Sequence, residues 1–267
     1  MQNFCLVTGP NRGIGLQIVK KLVQEGRPVI AAARKQEAAD EVVAMLQRDH
    51  PGPAAAASQA VAMDQDSAAS VKAAKQTLAE RGLGGKIDAL INNAGVKTEE
   101  WTEECFAEAM RTNFEGPLIV TAELMPLLSE NSLVVMVSSS LGASSRISED
   151  YLKRVRGAKT LEELREQNVF LPESKMKEPD RYCPSYCLSK FFLNRAVQLM
   201  AGDSELQKEK AFRVCSVNPG WCRTDMGSQR ADLSAEDGAN SVLVPVLRWT
   251  PELQGSFTEK DGQHRDW

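Results

Sequence analysis

Histidine is almost missing from this chain of 267 residues, where only His50 and His264 occur. Neither has the spaced cysteine or acidic companions that a zinc site needs, so no metal site is expected. The same scarcity argues against a Ser-His-acid hydrolase. No apolar stretch reaches the ~18–20 residues of a membrane span, so none is expected. Charge of one sign is also lacking: 32 basic against 36 acidic residues leave a net charge of −4. A nucleic-acid or membrane-surface partner would need a basic excess, and neither is expected. The six cysteines, Cys5, Cys105, Cys183, Cys187, Cys215 and Cys222, form no CxxC pair, and no signal peptide precedes the first apolar run. Reduced thiols in a cytoplasmic protein follow as the expectation. No linker rich in Gly, Ser or Pro divides the chain, and no fixed-period repeat runs along it, so residues 1–267 are read as one domain.

Short apolar runs are what the chain does have. Phe4–Val7, Pro28–Ala32, Ala60–Met63, Ile87–Ile91, Leu133–Val137, Arg213–Val217 and Gly255–Thr258 read as strands, and segments of helical period separate them. Near-continuous apolar strands alternating with helices predict an α/β fold, a parallel sheet covered on both faces. In the first helix Ile14, Ile18 and Leu22 form one stripe with Val19 and Val23 beside it, and Gly26 supplies the stop. The Ala-rich segment Pro51–Ala57 is read as a loop leading into the third strand.

The first strand runs into Thr8-Gly9-Pro10-Asn11-Arg12-Gly13-Ile14-Gly15, which opens the first helix. Glycines at such a turn let backbone approach a pyrophosphate, and the helix N-terminus offers unpaired N–H groups and a positive dipole end. An NAD-binding fold commonly ends its second strand on an acid that holds the adenosine ribose. Here that stretch reads Ala31-Ala32-Ala33-Arg34-Lys35, with no acid before Glu37. Arg34 and Arg12 could instead clamp a 2′-phosphate, which favours NADP(H) over NAD(H). Solvated loop residues are the alternative reading of Arg34 and Lys35.

Tyr186 and Lys190 stand four apart at the start of a helical stretch whose apolar stripe is Leu188, Phe192, Ala196 and Leu199. Their side chains leave the same face about one turn apart. An ammonium beside a phenol favours phenolate and predicts a tyrosine pKa below its ordinary ~10, which suits acid-base work. A snorkelling lysine on an amphipathic helix is the plainer alternative for the pair alone. Ser138-Ser139-Ser140 ends the fifth strand and Asn92-Asn93-Ala94-Gly95 follows the fourth, at the strand ends where open α/β sheets bind ligands, and Asn113 follows in a helix.

These pieces together resemble the short-chain dehydrogenase/reductase family. The matching residues are the glycine loop from Thr8 to Gly15, Asp64, Asn92 to Gly95, Asn113, Ser139, Tyr186 with Lys190, and Pro219-Gly220, all in family order. The resemblance implies a Rossmann-type doubly wound sheet. It implies that Tyr186 exchanges the proton of a substrate carbonyl while hydride passes from nicotinamide, with Ser139 hydrogen-bonding that oxygen. Ser139 is preferred because Gly142 follows it by three, and Ser138 remains a second candidate. Lys190 would hold the nicotinamide ribose and tune Tyr186, and Asn113 would anchor a water-linked proton relay. The cofactor set implied is Gly9, Asn11, Arg12, Gly13, Ile14, Gly15, Arg34, Asp64, Asn92, Ala94, Gly95, Tyr186, Lys190, Pro219, Gly220, Cys222 and Thr224, with Asp64 at the adenine amino group.

Ser139 and Tyr186 lie 47 positions apart, far beyond the usual family spacing. An insertion of about residues 143–181, with Asn218-Pro219-Gly220-Trp221-Cys222-Arg223-Thr224-Asp225-Met226 downstream, is similar to monomeric NADPH-dependent carbonyl reductases, so a monomer is expected. Thr160-Leu161-Glu162-Glu163 is a capping-box pattern that predicts a short helix to about Gln167. The insertion's mixed charge reads as a solvated surface, with a substrate lid over Val155–Lys175 as the sharper alternative. Cys222 replaces the usual Ile or Val, and is read as a buried thiol or else as one whose modification blocks the coenzyme. Cys183 and Cys187 are poorly spaced for a disulfide. Leu141, Trp221 and Met226, beside Ser139 and Tyr186, would line a pocket for an apolar ketone, aldehyde or quinone. The rival readings are an NADPH-binding redox sensor acting through a protein partner without turnover, and an epimerase of the extended relatives.

Overall fold

The seven apolar runs pair side by side in one sheet. The computed structural model describes residues 3–174, 183–209, 211–260, 262–265 and 267. In chain order the elements are β1 (Phe4–Thr8), α1 (Gly13–Gln24), β2 (Val29–Ala33), α2 (Gln36–Asp49), α3 (Pro53–Ala57), β3 (Gln59–Ala62), α4 (Ala68–Glu80), β4 (Ile87–Asn92) and α5 (Glu103–Met110). A π-helical turn, Arg111–Glu115, leads into α6 (Gly116–Leu124). Then come β5 (Leu128–Val137), α7 (Glu149–Gly157), α8 (Leu161–Glu166), α9 (Pro184–Gly202), α10 (Ser204–Glu209), β6 (Arg213–Val217), α11 (Ala235–Leu247) and β7 (Phe257–Thr258).

The strand order is β3-β2-β1-β4-β5-β6-β7, and every neighbouring pair is parallel. This is the doubly wound Rossmann-type sheet in a single α/β domain. The order reverses between β1 and β4, so a crevice opens at their carboxyl ends. Strand alternation divides the core into two layers. Leu6, Ile30, Leu90 and Val134 face α4, α5, α6 and α9, while Cys5, Val29, Ala31 and Val135 face α1, α2 and α11.

Ile18, Val19 and Leu22 of α1 are completely buried, and each aliphatic side chain so removed from water contributes roughly 1.5–3 kcal/mol. Gly26, at φ +75°, ends the helix. Its N–H bonds Val23 O at 3.0 Å and the Arg27 N–H bonds Leu22 O at 2.9 Å, the double bond of a Schellman stop.

Two local expectations are corrected. The segment read as a loop at Pro51–Ala57 carries the short helix α3, with Pro53 in its first turn and alanines after it, which is a helix-favouring composition. Strand β5 begins five residues early: Leu128 pairs with Ile87, and the register resumes at Leu133 opposite Ala89. Asn131, at φ +57°, absorbs the irregularity, so polar residues hide the strand's start.

The insertion is not a solvated flap. Ile147, Tyr151, Leu152, Val155, Ala158 and Leu164 are buried in the same core layer as α5 and α9. The Tyr151 hydroxyl donates to Val169 O at 2.9 Å and accepts from the Leu171 N–H at 3.0 Å. Trp101 packs edge-on against Tyr151 and Phe106 and at a tilt against Phe170. Helix α8 forms as expected. Thr160 caps it by accepting the Glu163 N–H, but the Glu163 carboxylate reaches one residue further back, to Lys159 N. Residues 175–181 of the insertion lie outside the described residues. No described helix is long and apolar enough to cross a membrane.

Candidate active site

The glycine loop sits where β1 ends. Arg12 occupies the N-cap of α1 in an extended conformation, makes no side-chain cap, and no acid stands in the first turn. The first N–H groups of a helix have no partners within it, so these remain for an anion. A Cβ on Gly15 would lie 2.1 Å from Gly9 O and 2.5 Å from Asn93 Nδ2, which is why only glycine closes the loop. Asn93, which the sequence reading passed over, fastens it: its amide donates to Thr8 O and Gly9 O at 2.9 and 3.2 Å, while Thr8 Oγ1 accepts the N–H groups of Asn93 and Ala94, both at 3.0 Å.

The Asn92 side chain turns into the core at the end of β4. Its amide is buried, donating to Thr121 Oγ1 at 3.1 Å and contacting Met136 Sδ. Parity along β4 explains this, since Leu90 shares the Asn92 side of the strand and Ile91 belongs to the opposite core layer. The Asp64 carboxylate accepts the Asp66 N–H at 3.1 Å, which holds the bend after β3. Arg34 is exposed just beyond β2 and has no partner among the described residues.

Asn113 lies in the π-helical turn and is completely buried. Its Oδ1 accepts the Val96 N–H at 2.9 Å, and its Nδ2 donates to Val96 O at 2.8 Å and to Ser189 Oγ at 3.0 Å. Ser189 Oγ in turn donates to Tyr186 O at 2.8 Å. One side chain thus ties the segment after β4 to the first turn of α9. Such π turns recur at functional sites. Ser189 was also missed; it is on the face of α9 that carries Tyr186, three residues on.

Tyr186 and Lys190 leave α9 together, with Lys190 Nζ 5.7 Å from the Tyr186 ring centroid. Lys190 donates to Val137 O at 2.8 Å. Ser139 is close enough to Tyr186 to act on its pKa, and Ser139 Oγ accepts the Leu141 N–H at 3.2 Å. Ser138 is buried, and its hydroxyl has no partner among the described residues. The geometry therefore brings Ser139, rather than Ser138, to the phenol.

The phenol's pKa differs in direction from the sequence expectation. Burial pushes Tyr186 above its ordinary value, with Ser139 acting the other way. Burial also pulls Lys190 down to about 7. Desolvation penalises both charged forms, so within the polypeptide alone the ammonium does not make the phenol more acidic.

The remaining site residues sit on the segment after β6. Gly220 follows Pro219 at φ +81°. Cys222 is buried, its thiol donating weakly to Pro219 O and Gly220 O at 3.5 and 3.6 Å, and burial raises its pKa. This favours the packed-thiol reading. The side chain of Thr224 lies against Gly13, where a Cβ would come within 3.2 Å. Trp221 and Met226 are exposed, and Leu141 is half-buried beside the core. Cys183 and Cys187 form no disulfide, and the Cys187 thiol lowers the Cys183 pKa.

A nucleotide-holding crevice at the reversal of a parallel sheet, with a serine, tyrosine and lysine converging at one of its strand ends, defines a Rossmann-type oxidoreductase site. The short chain dehydrogenase model matches residues 3–149. The chain belongs to the short chain dehydrogenase family and is an oxidoreductase enzyme. It is 32% identical to carbonyl reductase [NADPH] 1 of Bos taurus, over 91% of this chain and 90% of that protein. It is 30% identical to (+)-neomenthol dehydrogenase of Arabidopsis thaliana, over 95% of each. The fold is similar to that of NADPH bound carbonyl reductase from chicken fatty liver, with a TM-score of 0.75 at 24% identity, covering 100% of this chain and 99% of that one.

Proposed function

We propose that the protein is an NADPH-dependent carbonyl reductase acting on a ketone, aldehyde or quinone, with Tyr186 as proton donor. The observation that carries this reading is the placing of Lys190 Nζ 5.7 Å from the Tyr186 ring, one turn along α9, with Ser139 acting on the phenol's pKa. The uncapped start of α1 fits a pyrophosphate, and Arg12 and exposed Arg34 fit a 2′-phosphate. Asn11, Gly13, Ile14, Ala94, Gly95, Pro219, Gly220 and Thr224 would line the coenzyme. When bound, reduced nicotinamide supplies the hydride.

The chain's own residues handle the proton. Ser139 would hydrogen-bond the substrate oxygen beside the phenol. Burial keeps Tyr186 protonated, the form a reduction needs, so the phenol can donate as negative charge develops on that oxygen. Lys190, held by Val137 O with Nζ 5.7 Å from the Tyr186 ring centroid, lies near Gly95, whose added Cβ would lie 3.8 Å from Nζ. Asn113 fixes the first turn of α9 and would support proton resupply through water. Leu141 and Trp221 would contact an apolar substrate.

Replacing Tyr186 with Phe is expected to lower kcat about 10²–10⁴-fold while NADPH binding persists, measured by NADPH oxidation over a panel of carbonyl compounds. Unchanged turnover in this variant removes the assignment. NADPH binding by the wild type without turnover of any compound favours the sensor reading. Packing of α7 and α8 over α9 supports a monomer, and the six free thiols support a cytoplasmic setting.

A further inference from the structure

Arg12 already has a partner across the mouth of the crevice. Its Nη1 lies 3.4 Å from Asp225 Oδ2, both side chains being mostly exposed. The acid is not on a wandering loop. Thr224 O accepts the N–H groups of Gly227 and Ser228 at 3.1 and 3.0 Å, and the Trp221 indole N–H bonds Gly227 O. At its base Cys222 bridges to Leu233, with the Arg223 N–H on Leu233 O at 2.8 Å. Thr224 packs on Gly13, next to Arg12. A constrained turn therefore presents one carboxylate to the guanidinium assigned above to the 2′-phosphate.

We propose that Asp225 moderates the coenzyme preference by competing with the 2′-phosphate for Arg12. This rests on the NADPH reading of the same crevice. An arginine held by a carboxylate must exchange that bond for the phosphate, and the released acid then stands near a second anion. Both effects oppose NADPH and neither touches NADH, which has a ribose hydroxyl in place of the phosphate. Asp225 thus moderates a preference that Arg12 and Arg34 create. Since exposed ion pairs are weak, the effect is small: an isosteric neutral side chain should tighten NADPH binding about two- to five-fold.

The test measures dissociation constants of NADPH and NADH by quenching of tryptophan fluorescence for wild type, Asp225→Asn, Arg12→Ala and the double variant, with thermal melts to verify folding. The expected result is tighter NADPH binding in Asp225→Asn, NADH binding unmoved, and no gain from Asp225→Asn in the Arg12→Ala background. Weaker or unchanged NADPH binding in Asp225→Asn overturns the proposal, as does a gain that survives without Arg12 or appears equally for NADH. Absence of NADPH binding by the wild type overturns the coenzyme reading beneath it.

Discussion

Lys190 shows what burial does to one charge. Its pKa falls from 10.5 to about 7, so between those values the unfolded chain binds a proton that the folded chain does not. Stability of the nucleotide-free protein should therefore rise with pH from about 7 towards 10.5, and the full penalty should stand below pH 7. The penalty is on the order of a few kcal/mol at most. Lys190→Met should remove this part of the rise, so that urea midpoints of variant and wild type converge as pH increases. Parallel curves would show that the amine carries no such penalty. The placement of residues was legible where spacing along one helix decides geometry, as for Tyr186 and Lys190. It was not where a side chain acts through backbone: Asn93 closes the glycine loop through Thr8 and Gly9, contacts that no periodicity announces.

Among the elements, α9 and the turn after β5 depend on close approach. A Cβ on Gly142 would lie 2.8 Å from the Lys190 backbone carbon and 2.9 Å from Phe191 N. Gly142→Ala must therefore push Ser139 and Tyr186 apart. The expected outcome is about 1–3 kcal/mol of lost stability, seen in urea unfolding, with kcat falling more than NADPH affinity. The insertion behaves as an element too. Tyr151→Phe should cost about 0.5–1.5 kcal/mol through its lost hydrogen bonds to Val169 and Leu171. Deleting Val155–Lys175 removes core residues such as Leu164, so thermal melts should show loss of the folded state rather than a selective change in KM. Mixed charge along the insertion concealed this, because only its few apolar side chains face inward. Elsewhere the strands were readable as apolar runs, and β5 eluded its true start because Ser129, Glu130 and Asn131 are polar.

For the whole molecule, the parallel sheet was readable from alternating elements, and its switch point follows from the strand order. The covering of α9 by the insertion is a three-dimensional fact. It leads to the expectation of one 29.3 kDa species in sedimentation equilibrium at micromolar concentration, whereas a dimer would require a different exposed face. Thirteen of the 19 residues of α9 are buried, so the helix bearing Tyr186 has almost no side facing solvent. Its amide protons should then exchange with deuterium only when the entire chain opens, and heat should abolish turnover at the same temperature at which the fold melts.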